Sequence, residues 1–508
     1  MTMTWRLGRL MVVACLAAVA ASAAAAAQWG REPDPAAVSR FTRASLVFAT
    51  HDLSSPVSLF GHTFLVLHDQ PEPEPDALVV EFGGVVRRPA DHVAALLSHI
   101  PGRFALSHFS TKEREYAADG RSLWVYPLRL EPEAQQALAR QAQAVIGQER
   151  PYTFLRSNCS HHILALVARA AGLDAEEPDW PFVVPVDTLR ALAGRGLLAP
   201  PQHRPAASAR ALAAHARLDA AGRARFESYR LDPDQPGPEA EDSPVALALS
   251  AAAEHWALVE LQTARRDAWY RLKRRFPRSA DLEPPRQDPL DTGAHASWSW
   301  VQGLDGTAST LGWSYGFLSF RNEDLSALRH AELQLLDLVV SRRDGRLRLD
   351  RLGLLAMEAN QPASPVAGGF TQRLDLAYVN DTAQAGRRAE RLLLRFGRGV
   401  TWPLGGVDVS ALPFIALGGI DGGAGWAPAA AVGLRGSAHA SLPSGWRARA
   451  QLEWYGRELA GLRALHRFEL AAPTLDGRHG FGLQAEVRNG QLRDAMLGLR
   501  WTFRPRPP

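Results

Sequence analysis

Toward the end of the chain apolar and polar residues alternate one for one. In Trp446-Arg447-Ala448-Arg449-Ala450-Gln451-Leu452-Glu453-Trp454 every second side chain is polar or charged, and Phe481-Gly482-Leu483-Gln484-Ala485-Glu486-Val487-Arg488 repeats the pattern. Ala495, Leu497, Leu499, Trp501 and Phe503 share a face opposite Arg500 and Thr502. A period of two is that of a β-strand with one face in an apolar medium and the other in a polar one. Further strands are predicted to start near Trp298, Leu311, Ala331, Arg346, Phe370, Glu390, Leu412, Ala430 and Leu465, so about twelve fit between residues 294 and 503. Turns such as Arg343-Asp344-Gly345 join them.

Two architectures bury such faces. A soluble sandwich packs them against a second sheet, whereas an outer-membrane barrel points them at lipid around a polar lumen. The even strand count, arginines on the nominal inner face and the near-terminal Trp501-Thr502-Phe503 favour the barrel. The tail, residues 504–508, departs from barrels that finish at the aromatic residue.

Upstream the period changes. Residues 201–290 form an expected helical segment, in which 206–216 and 244–272 carry no glycine and the proline- and acid-rich stretch 232–243 is a loop. The arginine-rich end, 265–275, reads as a charged helix face rather than a headgroup contact, because Glu254, Glu260 and Asp267 interrupt the positive field. Residues 35–200 are mixed. Strands are expected at 59–68, 78–82 and 122–130, and helices at 91–100, 133–147 and 158–171, the last closed by Gly172.

The start of the chain changes the compartment. Arg6 and Arg9, an apolar run over 10–20 and an alanine-rich stretch make a three-part secretory signal, expected over residues 1–27. The weaker alternative, a lipoprotein box at Val12-Val13-Ala14-Cys15, leaves only five apolar residues after Arg9. No later stretch has the uncharged length of a transmembrane helix. A net charge of +4, with 57 basic residues interleaved among 53 acidic ones, gives no reason to expect a nucleic-acid partner.

Export isolates one thiol. The chain has 2 cysteines, and Cys15 lies in the expected leader, so Cys159 has no intramolecular disulfide partner. It sits in Tyr152-Thr153-Phe154-Leu155-Arg156-Ser157-Asn158-Cys159-Ser160-His161-His162, at the predicted start of a helix behind the cap residue Asn158. Unpaired backbone N–H groups there lower a thiol pKa and can hold an oxyanion. Such a thiol needs a base. His161 and His162 follow too closely on the same helix to turn back on it, so a distant histidine is favoured, and His62, behind Gly61 at a strand start, fits best. A packing role for these residues and a metal site formed with His161 and His162 are the weaker alternatives. No cofactor is expected: there is no phosphate loop, HExxH motif or GxSxG elbow.

These residues carry a resemblance. Ser54-Ser55-Pro56 with Phe60-Gly61-His62-Thr63-Phe64, then Glu115-Tyr116, Leu123-Trp124-Val125-Tyr126, Tyr152-Thr153-Phe154 with Asn158-Cys159-Ser160, and Pro185-Val186-Asp187-Thr188-Leu189-Arg190 resemble the DUF4105 family. This is the family of the Lnb N-terminal periplasmic domain. The likeness covers about residues 35–200, and the whole chain resembles an outer-membrane subgroup with a helical middle and a strand-rich end. The family is similar to circularly permuted NlpC/P60-like, papain-like thiol enzymes, in which the histidine strand precedes the cysteine helix.

The resemblance implies an α+β fold with a papain-like domain over 35–200, a helical segment over 201–290 and an antiparallel barrel over 294–503. It implies Cys159 as nucleophile and His62 as base, with Asn158 and Ser160 at the helix start for capping or the oxyanion. Glu81 is the candidate to orient His62; His68 and Asn158 are the alternatives. Lnb-type members transfer acyl chains within lipoproteins, so an acyl-thioester at Cys159 is the implied intermediate, although this chain lacks their multi-helix anchor. The expected protein is an exported, monomeric, outer-membrane acyltransferase or hydrolase whose thiol domain faces the periplasm and takes lipid-like or lipoprotein substrates. A cell-wall peptide amidase and a non-catalytic binding or scaffold protein are its rivals.

Overall fold

The computed structural model describes residues 33–51, 60–88, 91, 94–95, 98–154, 156–173, 183–237, 240–277, 289–290, 295–304, 308–318, 330–343, 345–380, 390–421, 425–459, 462–475, 478–488 and 495–503. The expected leader, the Ser54-Ser55-Pro56 motif and the tail 504–508 lie outside these residues. The chain divides into two compact units between Leu290 and Asp291.

The first unit is built on a seven-stranded antiparallel sheet in the order β6-β4-β3-β2-β1-β5-β7. Its strands are β1 (Arg43–Ala49), β2 (His62–His68), β3 (Leu78–Gly84), β4 (Ile100–His108), β5 (Leu123–Pro127), β6 (Glu149–Tyr152) and β7 (Gln202–Arg204). The central strands β1 and β2 are buried on both faces along nearly their whole length. Helix α1 (Phe109–Ala118) covers one face, where Phe109 and Tyr116 join Val47, Phe64, Val66 and Val79 in a buried cluster. Helix α2 (Pro132–Val145) follows β5, and α3 (Cys159–Ala170) covers the opposite face. There His162 packs on Phe82 and Phe104, and the hydroxyls of Ser160 and Thr63 meet at 3.3 Å. Burying a phenylalanine such as Phe64 stabilises by about 1.5–3 kcal/mol, so this two-sided packing fixes the frame of the sheet. Helix α4 (Pro185–Gly194) completes the domain.

The region expected as a helix over 91–100 differs: Ile100 already begins β4, and only Asp91, Ala94 and Ala95 are helical among its described residues. Sequence reasoning also missed β1, β4 and α1. Helices α5 (Ala207–Ala216), α6 (Ala220–Leu231), α7 (Pro244–Val259) and α8 (Thr263–Arg275) follow in the same compact unit. The single helix expected over 244–272 is a hairpin, because Glu260 takes an extended conformation. Packing rather than a local breaker closes it: the rings of Trp256 and Trp269 lie 4.6 Å apart, and Lys273 reaches Glu254 at 3.2 Å.

The second unit is a closed antiparallel barrel of twelve strands. They are β8 (His295–Gly303), β9 (Ala308–Leu318), β10 (Ala331–Arg343), β11 (Arg346–Gln361), β12 (Phe370–Asn380), β13 (Glu390–Leu404), β14 (Val407–Asp421), β15 (Trp426–Ser441), β16 (Arg447–Leu459), β17 (Leu462–Ala471), β18 (His479–Arg488) and β19 (Met496–Phe503). β8 closes the ring by pairing with both β19 and β9. The turn between Leu404 and Val407 uses Gly405 and Gly406 at φ 57° and 91°, the left-handed pair that a type I′ two-residue hairpin requires.

The barrel is inside out by the standard of a soluble protein. Leu392, Leu394, Leu434, Leu452, Trp454, Leu497 and Leu499 are exposed on its outside, while Arg395, Arg435, Arg449, Glu453 and Glu469 are buried within. Apolar exterior and charged interior are the distribution that lipid demands, which excludes the sandwich. The interior charges are paired across the bore: Arg449 with Glu332 at 2.5 Å, Arg435 with Glu358 at 2.6 Å, and Arg373 and Arg395 both with Glu453. Glu332 on β10 and Arg449 on β16 stand six places apart in the ring of twelve, on opposite walls. No helix among the described residues is long and apolar enough to cross a membrane.

Candidate active site

Gly61 sets the entrance to β2. Its φ is 81°, and a Cβ there would lie 2.8 Å from the carbonyl oxygen of Ala49, so only glycine fits without strain. The next residue, His62, opens the strand and pairs with Ala49. β2 and β3 pair through Leu65 with Val80 and Leu67 with Leu78, and this register brings Glu81 diagonally beside His62 on the same face. Glu81 Oε2 lies 3.5 Å from His62 Nε2, while its Oε1 accepts a hydrogen bond from Lys112 Nζ on α1 at 2.6 Å. Lys112 also donates to Glu115 Oε2 at 2.8 Å.

Cys159 is the first residue of α3. Asn158 closes the helix start: its Oδ1 accepts from the N–H groups of Ser160 and His161 at 3.1 and 3.3 Å. Its Nδ2 donates to the carbonyls of Phe154 and Val183, fixing the cap to two neighbouring segments. The sulfur of Cys159 is hydrogen-bonded by the imidazole of His62, by the backbone N–H of Thr63 and by the Ser160 side chain. A strand start and a helix start thus meet at one buried thiol.

Burial alone would push the thiol up. The His62 charge, the His62 hydrogen bond and the Thr63 N–H outweigh it and bring Cys159 down to about 7. Burial likewise opposes charge on His62, but the facing thiolate and the Glu81 carboxylate raise it to about 9. Glu81 is pulled down to about 2 against its burial, chiefly by the Lys112 charge and then by His62. At neutral pH these values favour a thiolate–imidazolium pair backed by a carboxylate.

The other sequence candidates are occupied elsewhere. His68 hydrogen-bonds Ser45 Oγ and the Gln70 carbonyl, each at 2.8 Å. His162 bonds Ser157 Oγ at 3.0 Å with its ring 4.0 Å from that of Phe82, and burial lowers its pKa to about 4. His161 lies edge-on to His162. Two neighbours of His62 had no site role in the sequence reading, although Glu115-Tyr116 is among the motifs of the resemblance. Tyr116 lies 6.4 Å from the His62 ring, stacked on Phe64 under the Arg121 guanidinium. Lys112 is the other, and a signal for it existed: arginine fills all but two of the 57 basic positions, the exceptions being Lys112 and Lys273.

Residues 33–195 match the family described as the Lnb N-terminal periplasmic domain. No curated protein matches the chain. Among solved structures, the NanC porin is 8% identical with a TM-score of 0.26, covering 42% of this chain and 100% of that one. Omp33 of Acinetobacter baumannii is 11% identical with a TM-score of 0.23, covering 42% of this chain and 96% of that one. The β domain of the Bordetella autotransporter BrkA is 12% identical with a TM-score of 0.21, covering 41% and 97%. These overlaps are loose, and the barrel assignment stands on its own strand pairing and surface. The chain is an exported, outer-membrane protein whose residues 33–195 match the Lnb N-terminal periplasmic domain family.

Proposed function

We propose that the thiol domain is a cysteine acyltransferase or hydrolase that works through an acyl-thioester on Cys159, takes lipid-like or lipoprotein substrates and faces the periplasm. The observation that carries this reading is the shared hydrogen bond of Cys159 and His62, with the thiol lowered to about 7 and the imidazole raised to about 9. The thiolate attacks an ester or amide carbonyl carbon, forming a C–S bond and a tetrahedral oxyanion. The imidazolium of His62 gives its proton to the departing oxygen or nitrogen as the C–O or C–N bond breaks. Neutral His62 then takes a proton from an incoming amine, alcohol or water, which attacks the thioester and expels the thiolate. Glu81 holds the imidazole ring and favours its charged form.

Lipid-like donors suit a chain anchored by a lipid-facing barrel. The test is incubation of the purified protein with phospholipid vesicles carrying an isotopically labelled acyl chain. Label should appear on the protein in a hydroxylamine-sensitive bond and be absent from the Cys159→Ala variant. Label absent from both, or equal in both, contradicts a lipid-derived acyl-enzyme.

A further inference from the structure

We propose that Lys112 is a positioning residue of the thiol site, pinning one oxygen of Glu81 so that the other faces His62. The proposal rests on the thiol reading above and concerns how that site is held. Lys112 and Glu81 are both largely shielded, with side-chain exposures of 11% and 18%, and their 2.6 Å contact is shorter than the 3.5 Å from Glu81 to His62. Cys159, His62, Glu81, Lys112 and Glu115 therefore form a row of alternating charge that runs from the thiol out to a half-exposed carboxylate. A shielded carboxylate without its cation is neutralised or turns to water, and either removes the anion from His62.

The composition adds an independent argument. This chain uses arginine nearly everywhere that it needs a cation, yet keeps lysine here. A compact ammonium places three donors in a space that holds two carboxylates and the neighbouring Tyr116, whereas the planar guanidinium fork is wider. The rival role is purely structural, a bond tying α1 to β3. A second rival is competition, in which Lys112 draws Glu81 away from His62.

The three roles separate in the pH dependence of Cys159 alkylation by iodoacetamide, measured on the full chain with Cys159→Ser subtracted as background. In Lys112→Met the midpoint is expected to rise by about one unit, a roughly tenfold loss of rate below the midpoint. Lys112→Gln, a milder change should Lys112→Met fold poorly, is expected to shift in the same direction. In a Glu81→Gln background, adding Lys112→Met is expected to move the midpoint little further, since Lys112 acts through Glu81. An unmoved midpoint in a folded variant, a downward shift, or an equal shift without Glu81 overturns the proposal. A parent midpoint at the free-thiol value of about 8.5 overturns the thiolate reading itself, and this proposal with it.

Discussion

His62 and Cys159 share a hydrogen bond, although one opens a strand and the other opens a helix on the opposite side of the same sheet. The contact exists because both residues are first in their elements, with Gly61 bending the chain before one and Asn158 capping the chain before the other.

Removing His62 therefore exposes what burial does to the thiol. In His62→Ala the opposing charge and hydrogen bond disappear while the desolvation stays, so Cys159 returns to or above the free-thiol range. Iodoacetamide labelling at neutral pH is expected to fall by at least about tenfold. Unchanged labelling in the folded variant would show that the thiol does not depend on the imidazole.

The pH dependence has a fixed sign. Acylation needs the thiolate and the imidazolium together, so its rate is expected to rise as pH passes about 7 and fall as pH passes about 9. Both limbs belong to the pair rather than to either residue. Single-turnover acylation with an unactivated alkyl ester, whose leaving oxygen needs the proton, reads both, and a rate still rising above the upper limb would exclude the imidazolium as the acid.

Asn158 has two jobs that substitution separates. Asn158→Asp keeps the capping oxygen but loses the donors to Phe154 and Val183, whereas Asn158→Ala loses both. Thermal or denaturant unfolding should show Asn158→Ala destabilised by about 1–3 kcal/mol, with Asn158→Asp between it and the parent. Equal stability of all three would remove the cap from the account.

The barrel has its own test. Ion pairs from opposite walls, Arg449 with Glu332 above all, reach across the bore. Planar bilayers containing the protein are expected to stay electrically silent, and a variant combining Arg449→Ala, Glu332→Ala, Arg435→Ala and Glu358→Ala is expected to conduct. Steady open-channel current from the parent would contradict a bore closed by these ion pairs.

How much of this was legible in the sequence follows from where each residue is buried. The barrel strands were readable because each keeps one face in lipid and one in a polar bore, so Leu452 and Glu453 alternate visibly. β1 was missed for the opposite reason: Ser45, Leu46, Val47 and Phe48 are buried on both faces, and a run with no alternation has no period to detect. The turn between α7 and α8 lacks glycine and proline and is imposed by Trp256 meeting Trp269. His62 and Cys159 were recognisable from chemistry and from neighbours such as Gly61 and Asn158. Lys112 was not, because in Thr111-Lys112-Glu113-Arg114-Glu115 a shielded cation reads like any charged surface turn until β3 is laid beside it.

The central claim is that Cys159 carries an acyl group in the working protein. Mass spectrometry of the Cys159 peptide after incubation of the full-length protein with native bacterial membranes tests it most directly. The account predicts a hydroxylamine-labile mass increment equal to a fatty-acyl chain, absent in Cys159→Ala and strongly reduced in His62→Ala. An unmodified thiol throughout, or an increment matching a cell-wall peptide, would contradict it.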